Sequence, residues 1–270
     1  MWQACFLYFA CSAHWSYEGA TSPEHWGELS HEFQTCQSGK NQSPIDIDNI
    51  VTAHLTPFSS HYRESPALLI NNGHTLQANF IDNLNTIELA GVVSHLQQFH
   101  FHAPSEHTLH GKHAPLEMHL VHTSAKGDII VVAVLFETGA ANRELATLWQ
   151  HLPTRGGSTA LTAQHIDMAA LLPRDKTYWR FSGSLTTPPC SEGVTWLVMK
   201  QPLTLSPQQL DAFKSVLGHA NNRPTPYSAA LWPAGRRVAA CKYQHKNESG
   251  FAKSAFFWLK NQQLCCLLPH

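Results

Sequence analysis

The sequence predicts an α+β fold that is mostly β: a single domain on a large, mainly antiparallel central β-sheet with a few short peripheral helices. Three observations predict it. Many short apolar runs in the middle of the chain are separated by Gly, Asn, Asp or Pro, as strands are. Several runs alternate apolar and polar residues, whereas residues 129–136 are continuously apolar, as in a central strand covered on both faces. No repeat or linker divides the 270 residues, and single domains of this size are common.

The individual elements follow from local patterns. The strand-like runs lie at 66–72, 74–80, 86–91, 94–102, 116–123, 128–137 and 194–200. One helix is predicted within 141–152. A second follows Ser206, which is a suitable N-cap, with Pro207 at the first helical position, Gln209 closing a capping box and Gly218 ending the helix.

The composition excludes two kinds of partner. The formal net charge is −1 and no basic or acidic run occurs, so we expect no nucleic-acid partner. No stretch reaches the ~18 apolar residues that span a bilayer, so we expect no membrane span. Histidine is unusually frequent, since the 19 histidines outnumber the 18 lysines and arginines. Histidine is the commonest metal ligand in proteins.

The two ends of the chain differ from its body. Residues 1–13 form an apolar run that ends in small residues, like a secretory leader, but no Lys or Arg precedes Lys40. We interpret them as a truncated signal peptide; the alternative is an ordinary buried segment. Residues 226–270 have no strand or helix period and carry three of the seven cysteines. We treat them as an atypical C-terminal tail that is frameshifted or poorly ordered.

One stretch, "QFHFH" (98–102), places two histidines on the same side of a predicted strand. Residues i and i+2 of a strand share a face, so Gln98, His100 and His102 lie opposite Phe99 and Phe101. In the strand at 116–123, Glu117, His119 and Val121 share a face in the same way. If the two strands are neighbours, three imidazoles converge above the sheet.

Three histidines with a fourth position open to water are typical of a catalytic zinc site. Gln98 and Glu117 each precede a histidine by two residues and offer oxygens that could orient the imidazoles. The alternative is a solvated polar strand face, which is the commoner reading of an H-x-H pair alone. His95, His110, His113 and His122 could also replace a member of the triad, although the first and last face the wrong side and the others lie in an apparent loop.

Residues 98–122, "QFHFHAPSEHTLHGKHAPLEMHLVH", resemble the zinc-site motif of the α-class carbonic anhydrases. "NQSPIDI" (41–47), "NNGH" (71–74) and "YWRFSGSLTTPPC" (178–190) also match, in the family order. The resemblance covers residues 14–225, which we expect to be the α-carbonic anhydrase domain. It implies a zinc enzyme that reversibly hydrates carbon dioxide to bicarbonate and a proton, through attack by zinc-bound hydroxide.

The resemblance implies a role for each matching residue. The ligands of one Zn²⁺ per chain are His100, His102 and His119; their hydrogen-bond partners are Gln98, Glu117 and the carbonyl of Asn221. The hydroxyl of Thr186 accepts from the hydroxide and donates to Glu106, and His74 is the proton shuttle. The residues of the carbon dioxide pocket are Val121, Val131, Leu185, Thr187, Val194 and Trp196.

Cys36 and Cys190 resemble the single disulfide of bacterial secreted members. Together with short loops at 103–105 and 123–127, they favour a bacterial enzyme that is periplasmic or secreted. We expect a monomer or weak dimer. The tail departs from the family, because the residues after "NNRPT" (221–225) have the wrong spacing. A frameshift at the 3′ end is our hypothesis for this departure.

Two other functions compete with carbon dioxide hydration. A carbonic-anhydrase-like binding or adhesion module would have lost catalysis, usually with the loss of a zinc histidine, and here none of the three is missing. A zinc esterase would use the same hydroxide as a side activity. Chelator-sensitive hydration separates these readings.

Overall fold

The structure is a computed structural model of the chain. It describes residues 13–53, 55–80, 82–225 and 238–241. The predicted leader, except residue 13, and the tail, except 238–241, lie outside the described residues. The strands are β1 (Asp46–Ile47), β2 (Ile50–Ala53), β3 (Ser59–His61), β4 (Ser65–Asn71), β5 (Leu76–Phe80), β6 (Thr86–Leu89), β7 (Val92–His102), β8 (Thr108–Leu109), β9 (Lys112–His113), β10 (Leu116–Ser124), β11 (Ile129–Thr138), β12 (Ser158–Ile166), β13 (Tyr178–Ser184), β14 (Glu192–Met199), β15 (Leu203–Leu205) and β16 (Val238–Cys241).

The helices are short and peripheral, as predicted: α1 (Trp26–Leu29), α2 (Thr35–Ser38), α3 (Arg143–Trp149) and α4 (Pro207–Leu217), with 3-10 turns at Gly19–Thr21 and His31–Phe33. The predicted caps of α4 are confirmed. Ser206 and Gln209 form a capping box, and Gly218 ends the helix at φ 82°, a conformation that favours glycine.

The central sheet contains thirteen strands among the described residues, in the order β12-β4-β5-β7-β10-β11-β14-β13-β16-β2, with β6 beside β7, β3 beside β6 and β15 beside β11. Most neighbours are antiparallel, which confirms the predicted sheet. The sheet is nevertheless mixed, because β11 runs parallel to β14 and β15, and β16 runs parallel to β2. Alternation of apolar residues gives which face is buried but not strand direction, so these parallel pairs had no signal in the sequence.

Several strands were not predicted. β13 pairs with β14 over its full length, and β12 pairs with β4 at one edge. β16 lies in the tail to which sequence analysis assigned no element, and it pairs with β13 and β2. The sequence of β13, "YWRFSGS", has no strict alternation, since polar and small residues follow its aromatic start. These segments form strands because they pair with neighbouring strands of the sheet. Their local sequence pattern does not determine their position.

The central strands separate two apolar clusters. Phe99, Phe101, Met118 and Leu120 are completely buried in the larger cluster, which also packs against α3 and α4. A smaller cluster contains Ile45, Ile47, Val131, Ala133, Phe181, Val194, Trp196 and Val198. The predicted division of β7 is therefore present. Phe99 and Phe101 are anchored in the larger core, and His100 and His102 face the other way.

A disulfide joins Cys36 in α2 to Cys190, with a Cα–Cα distance of 5.0 Å. Both cysteines are buried against Trp26 and Phe33 in a third apolar cluster. The bridge fixes the N-terminal helical segment to the loop between β13 and β14, which carries Thr186 and Thr187. Within the described ranges, no helix is long and apolar enough to cross a membrane.

We predict that neither Cys36 nor Cys190 reacts with a thiol-alkylating reagent in denatured, non-reduced protein. Because the bridge spans 154 residues of sequence, its removal in a Cys36→Ala/Cys190→Ala variant should lower the free energy of unfolding by about 5 kcal/mol. Chemical denaturation measures that loss, and reduced wild-type protein is the matched control. Quantitative labelling of both thiols would contradict the assignment.

Candidate metal centre

The register between β7 and β10 assembles three histidines. The two strands are antiparallel neighbours, which meets the condition set by the sequence pattern, and His100 lies directly opposite His119. His102 follows His100 on the same face, opposite Glu117. The ring centroids are 5.0 Å apart for His100 and His102, 5.2 Å for His100 and His119, and 4.6 Å for His102 and His119.

Each imidazole has one nitrogen held by an oxygen acceptor. His100 Nδ1 donates to Gln98 Oε1 (2.8 Å), His102 Nδ1 to the Asn221 carbonyl (2.7 Å), and His119 Nε2 to Glu117 Oε1 (2.8 Å). These are the three partners that the family resemblance implied. A neutral imidazole has one N–H, so the lone pairs lie on the opposite nitrogens. These are Nε2 of His100, Nε2 of His102 and Nδ1 of His119.

The site fits a zinc ion. The potential ligand atoms of the three histidines lie within 4.8 Å of one another. His102 Nε2 is buried and has no hydrogen-bond partner within the described ranges, a costly state unless a cation binds there. Burial, reinforced by the neighbouring histidines, holds the pKa of His100 well below its usual value, and burial also lowers the pKa of His102. Neutral imidazoles suit Zn²⁺ better than Mg²⁺ or Ca²⁺, which require oxygen ligands.

Beside the triad, the Glu117 carboxylate accepts four hydrogen bonds. Its Oε1 accepts from His119 and from His107 Nδ1 (2.6 Å), and its Oε2 accepts from the backbone N–H groups of Glu106 (2.8 Å) and His107 (2.9 Å). Burial alone would raise the pKa of Glu117, but His107 and His119 hold it well below its usual value. His107, Glu117 and His119 also lie close enough to hold a metal. Their hydrogen bonds already use the atoms that would bind it.

The other histidines that could have replaced a triad member have separate partners. His95 contacts the Asn83 carbonyl, His110 contacts Asp48, and His113 contacts the Ser105 carbonyl. His122 is completely buried between Tyr62 Oη (2.6 Å) and the Ile130 carbonyl. Burial lowers the pKa of His122 to about 3.

An apolar wall adjoins the triad. Directly opposite residues on neighbouring strands point to the same side, so Gln98, Val121, Val131 and Trp196 form one row across four strands. The Trp196 ring centroid is 4.8 Å from that of His119. Leu185 and Val194 belong to the same apolar cluster. Thr187 lies two residues beyond Leu185, where its carbonyl accepts from the Cys190 N–H (2.9 Å).

The family resemblance paired Glu106 with Thr186, and the structure places Glu106 beside the triad. The completely buried Oε2 of Glu106 is 3.5 Å from His102 Nε2 and 3.9 Å from His119 Nδ1. The expected hydrogen bond from Thr186 is not formed. Glu106 Oε1 accepts from the Arg223 N–H (2.9 Å), and Oε2 has no hydrogen-bond partner in the part of the chain that the structure describes. Thr186 itself is buried.

His74 lies apart from the triad, on the loop between β4 and β5. Its ring stacks on Trp15, with centroids 3.9 Å apart and an interplanar angle of 14°. Burial, then the nearby His14, His219 and Arg155, lowers the pKa of His74.

Comparisons with known proteins agree with this geometry. A family model described as eukaryotic-type carbonic anhydrase matches residues 21–238. The carbonic anhydrase of Klebsiella pneumoniae is 58% identical over 214 residues, which cover 79% of this chain and 87% of that protein. The chain belongs to the eukaryotic-type, or α-class, carbonic anhydrase family. The family match ends at Val238, the first residue of β16, and so extends beyond residue 225.

Two further comparisons place this carbonic anhydrase among bacterial relatives. The carbonic anhydrase of Pectobacterium atrosepticum is 48% identical over 225 residues, which cover 83% of this chain and 92% of that protein. The structure of the α-carbonic anhydrase of Thermovibrio ammonificans, in complex with the inhibitor sulfanilamide, is 46% identical and has a TM-score of 0.79. It covers 84% of this chain and 99% of that chain.

Sequence analysis of this carbonic anhydrase did not identify the buried hydrogen-bond network around Arg223. Arg223 is buried, and its guanidinium donates to Gln42 Oε1 (3.0 Å) and to the carbonyls of Ser43 (2.8 Å) and Cys36 (2.9 Å). Its backbone N–H holds Glu106. Arg223 thus fixes the acidic group of the site to the N-terminal segment. Its partners are more than a hundred residues away, so no local pattern could indicate this role.

We predict that Glu117→Gln weakens zinc binding about ten- to a hundredfold. Glutamine replaces one carboxylate oxygen with an N–H donor and cannot accept all four of the hydrogen bonds that reach Glu117. Competition with a chromophoric chelator measures the change. Glu88→Gln makes the same chemical change on an exposed residue of β6 and is the matched control. Equal zinc affinities for both variants would show that the Glu117 bonds do not orient His119.

Proposed function

We propose that this chain catalyses the reversible hydration of carbon dioxide to bicarbonate and a proton at one zinc ion held by His100, His102 and His119. The observation that carries the proposal is the convergence of three imidazole nitrogens, of which His102 Nε2 is buried with no hydrogen-bond partner among the described residues. Zinc at this position would supply a hydroxide nucleophile at neutral pH, because it lowers the pKa of water to about 7, an effect for which carbonic anhydrase is the reference example.

The apolar wall suits carbon dioxide. The substrate is small and uncharged, so it needs an apolar surface beside the nucleophile and few polar contacts. Val121, Val131 and Trp196 offer such a surface in a row next to His119. Leu185, Thr187 and Val194 complete the proposed pocket. Bicarbonate is charged, so contact with an apolar surface costs it more hydration free energy than it costs carbon dioxide. This difference favours the release of bicarbonate.

We assign orientation of the nucleophile to Thr186 and Glu106. A hydroxyl that donates to a carboxylate must accept from the nucleophile, which turns a lone pair toward the substrate carbon. Glu106 Oε2 is the free acceptor for Thr186 in this scheme, since Glu106 Oε1 is held by Arg223. The burial of both residues keeps water from competing for these contacts.

His74 is proposed to carry the released proton to buffer. A group with a pKa near 7 releases its proton to bulk water at no more than about 10³ s⁻¹, because recapture is limited by diffusion. Turnover near 10⁶ s⁻¹, for which carbonic anhydrase is again the reference example, needs a nearby acceptor. His74 is half-buried, and its lowered pKa favours rapid release to an external base.

We also propose that the enzyme functions in the bacterial periplasm or outside the cell. The buried bridge between Cys36 and Cys190 supports this, because such bonds persist mainly in oxidising compartments. The identity to bacterial relatives supports the bacterial origin.

Purified protein should hydrate carbon dioxide in a stopped-flow assay, and a zinc chelator should abolish the activity. Re-addition of Zn²⁺ should restore it, because the ligand side chains are held in place by their hydrogen bonds without metal. Retained secondary structure by circular dichroism is the control for the chelated sample. Folded, zinc-loaded protein without chelator-sensitive turnover would contradict the proposed function.

His74→Ala should lower kcat by about tenfold or more in dilute buffer and leave kcat/KM unchanged, because proton transfer follows the hydration step. Added imidazole should restore kcat by serving as the missing acceptor. The assay is the buffer dependence of both constants. Loss of kcat/KM in this variant, or no rescue by imidazole, would count against the shuttle role.

A further inference from the structure

Segment 219–221, which follows the end of α4, contacts the loop that carries His74. His219 Nε2 lies 3.0 Å from the Gly73 carbonyl, and its Nδ1 lies 2.9 Å from the Ala220 carbonyl. Asn221 Nδ2 donates to the carbonyl of His74 itself (3.0 Å). Two side chains of one short segment therefore hold two consecutive carbonyls of the loop.

Other polar groups of that loop bond within the loop or to further neighbouring segments. Asn71 Oδ1 accepts from the Gly73 N–H (3.1 Å), and Asn72 Oδ1 accepts from the N–H groups of His74 and Thr75 (both 2.9 Å). Gly73 has φ 83°, where glycine is favoured. These internal bonds shape the turn. Thr75 Oγ1, which donates to the Phe101 carbonyl, ties one end of the loop to β7, and the contacts from segment 219–221 hold the carbonyls of Gly73 and His74.

The same segment also contacts the metal centre. The Asn221 carbonyl accepts from His102 Nδ1, its Oδ1 accepts from the Ala103 N–H (2.9 Å), and its Nδ2 donates to the Phe101 carbonyl (2.8 Å). Asn221 is thus committed to both the metal ligand and the loop. Within the described ranges, the ring nitrogens of His219 contact only the carbonyls of Gly73 and Ala220, and a neutral ring donates to one of them. Its effect can therefore be separated from metal binding.

We propose that His219 is a positioning residue for proton transfer: its hydrogen bond to the Gly73 carbonyl holds the loop so that the His74 ring stays against Trp15. Packing supports the same geometry. The His219 ring lies 6.0 Å from Tyr17, whose ring lies 5.6 Å from Trp15. His219 and His74 therefore pack against the same aromatic cluster, through Tyr17 and Trp15 respectively. The inference rests on the proposed function of His74 as the shuttle.

The test compares three replacements in the full chain. His219→Gln keeps an N–H donor near the position of Nε2, whereas His219→Asn is too short to reach Gly73 and His219→Leu has no donor. We expect kcat in dilute buffer to fall about tenfold in the Asn and Leu variants, with kcat/KM and zinc content unchanged. The Gln variant should retain most of kcat. His61→Leu, on an exposed residue of β3, is the matched control.

A double-mutant cycle with His74→Ala separates positioning from general damage. In the His74→Ala background, His219→Asn should have no further effect on kcat, because no shuttle remains to be positioned. Additive losses would overturn the proposal. So would a Gln variant as impaired as the Asn variant, since that pattern indicates an effect of the His219 charge on His74 and not of the hydrogen bond.

The same measurements distinguish a failure of the shuttle role of His74 from a failure of the positioning role of His219. If His74→Ala itself leaves kcat unchanged, the shuttle role fails and the inference fails with it. If His74→Ala lowers kcat with imidazole rescue while His219→Asn and His219→Leu both match wild type, the shuttle stands and the positioning role of His219 is wrong.

Discussion

The pairing register of β7 and β10 is the constraint on which the site depends. It sets His100 opposite His119 and His102 opposite Glu117, with Phe99 and Leu120 opposite each other on the other face. A shift by one residue would turn every side chain of one strand to the opposite face. It would bury imidazoles in the larger apolar core and expose aromatic side chains. Burial of the apolar face therefore enforces the geometry of the ligands.

The buried polar groups around the triad are almost all satisfied, and the exceptions are informative. Glu117, Asn221 and Arg223 each hold several partners, so their side chains are fixed by the fold. Within the described residues, His102 Nε2, Glu106 Oε2 and His107 Nε2 lack hydrogen-bond partners, and the first two atoms lie 3.5 Å apart. An acceptor pair left unpaired in a buried site is costly, whereas a bound cation would stabilise it. The same network extends through segment 219–221 to the loop of His74, so orientation of the three histidines and the proposed proton transfer share one support.

Local sequence patterns predicted the elements that local physics decides. Alternation located β7 and β10 and the face that each histidine occupies, and the Ser206 and Gln209 capping box located α4. The resemblance supplied what spacing alone left open, including the choice among competing histidines. What the sequence did not reveal depends on distant contacts: the parallel pairing of β11 with β14, β16 within the tail, and the Arg223 contacts. The bond between His219 and Gly73 joins residues 146 apart, and no periodicity encodes it.

Three particular nitrogens of this fold are proposed to bind one zinc ion. An anomalous-scattering map from crystals of the zinc-loaded protein would locate that ion. We expect one zinc per chain at about 2.0–2.1 Å from His100 Nε2, His102 Nε2 and His119 Nδ1, with the opposite nitrogens still bonded to Gln98, Asn221 and Glu117. Zinc bound instead between His107 and Glu117, or held by fewer than three of these nitrogens, would contradict this proposal.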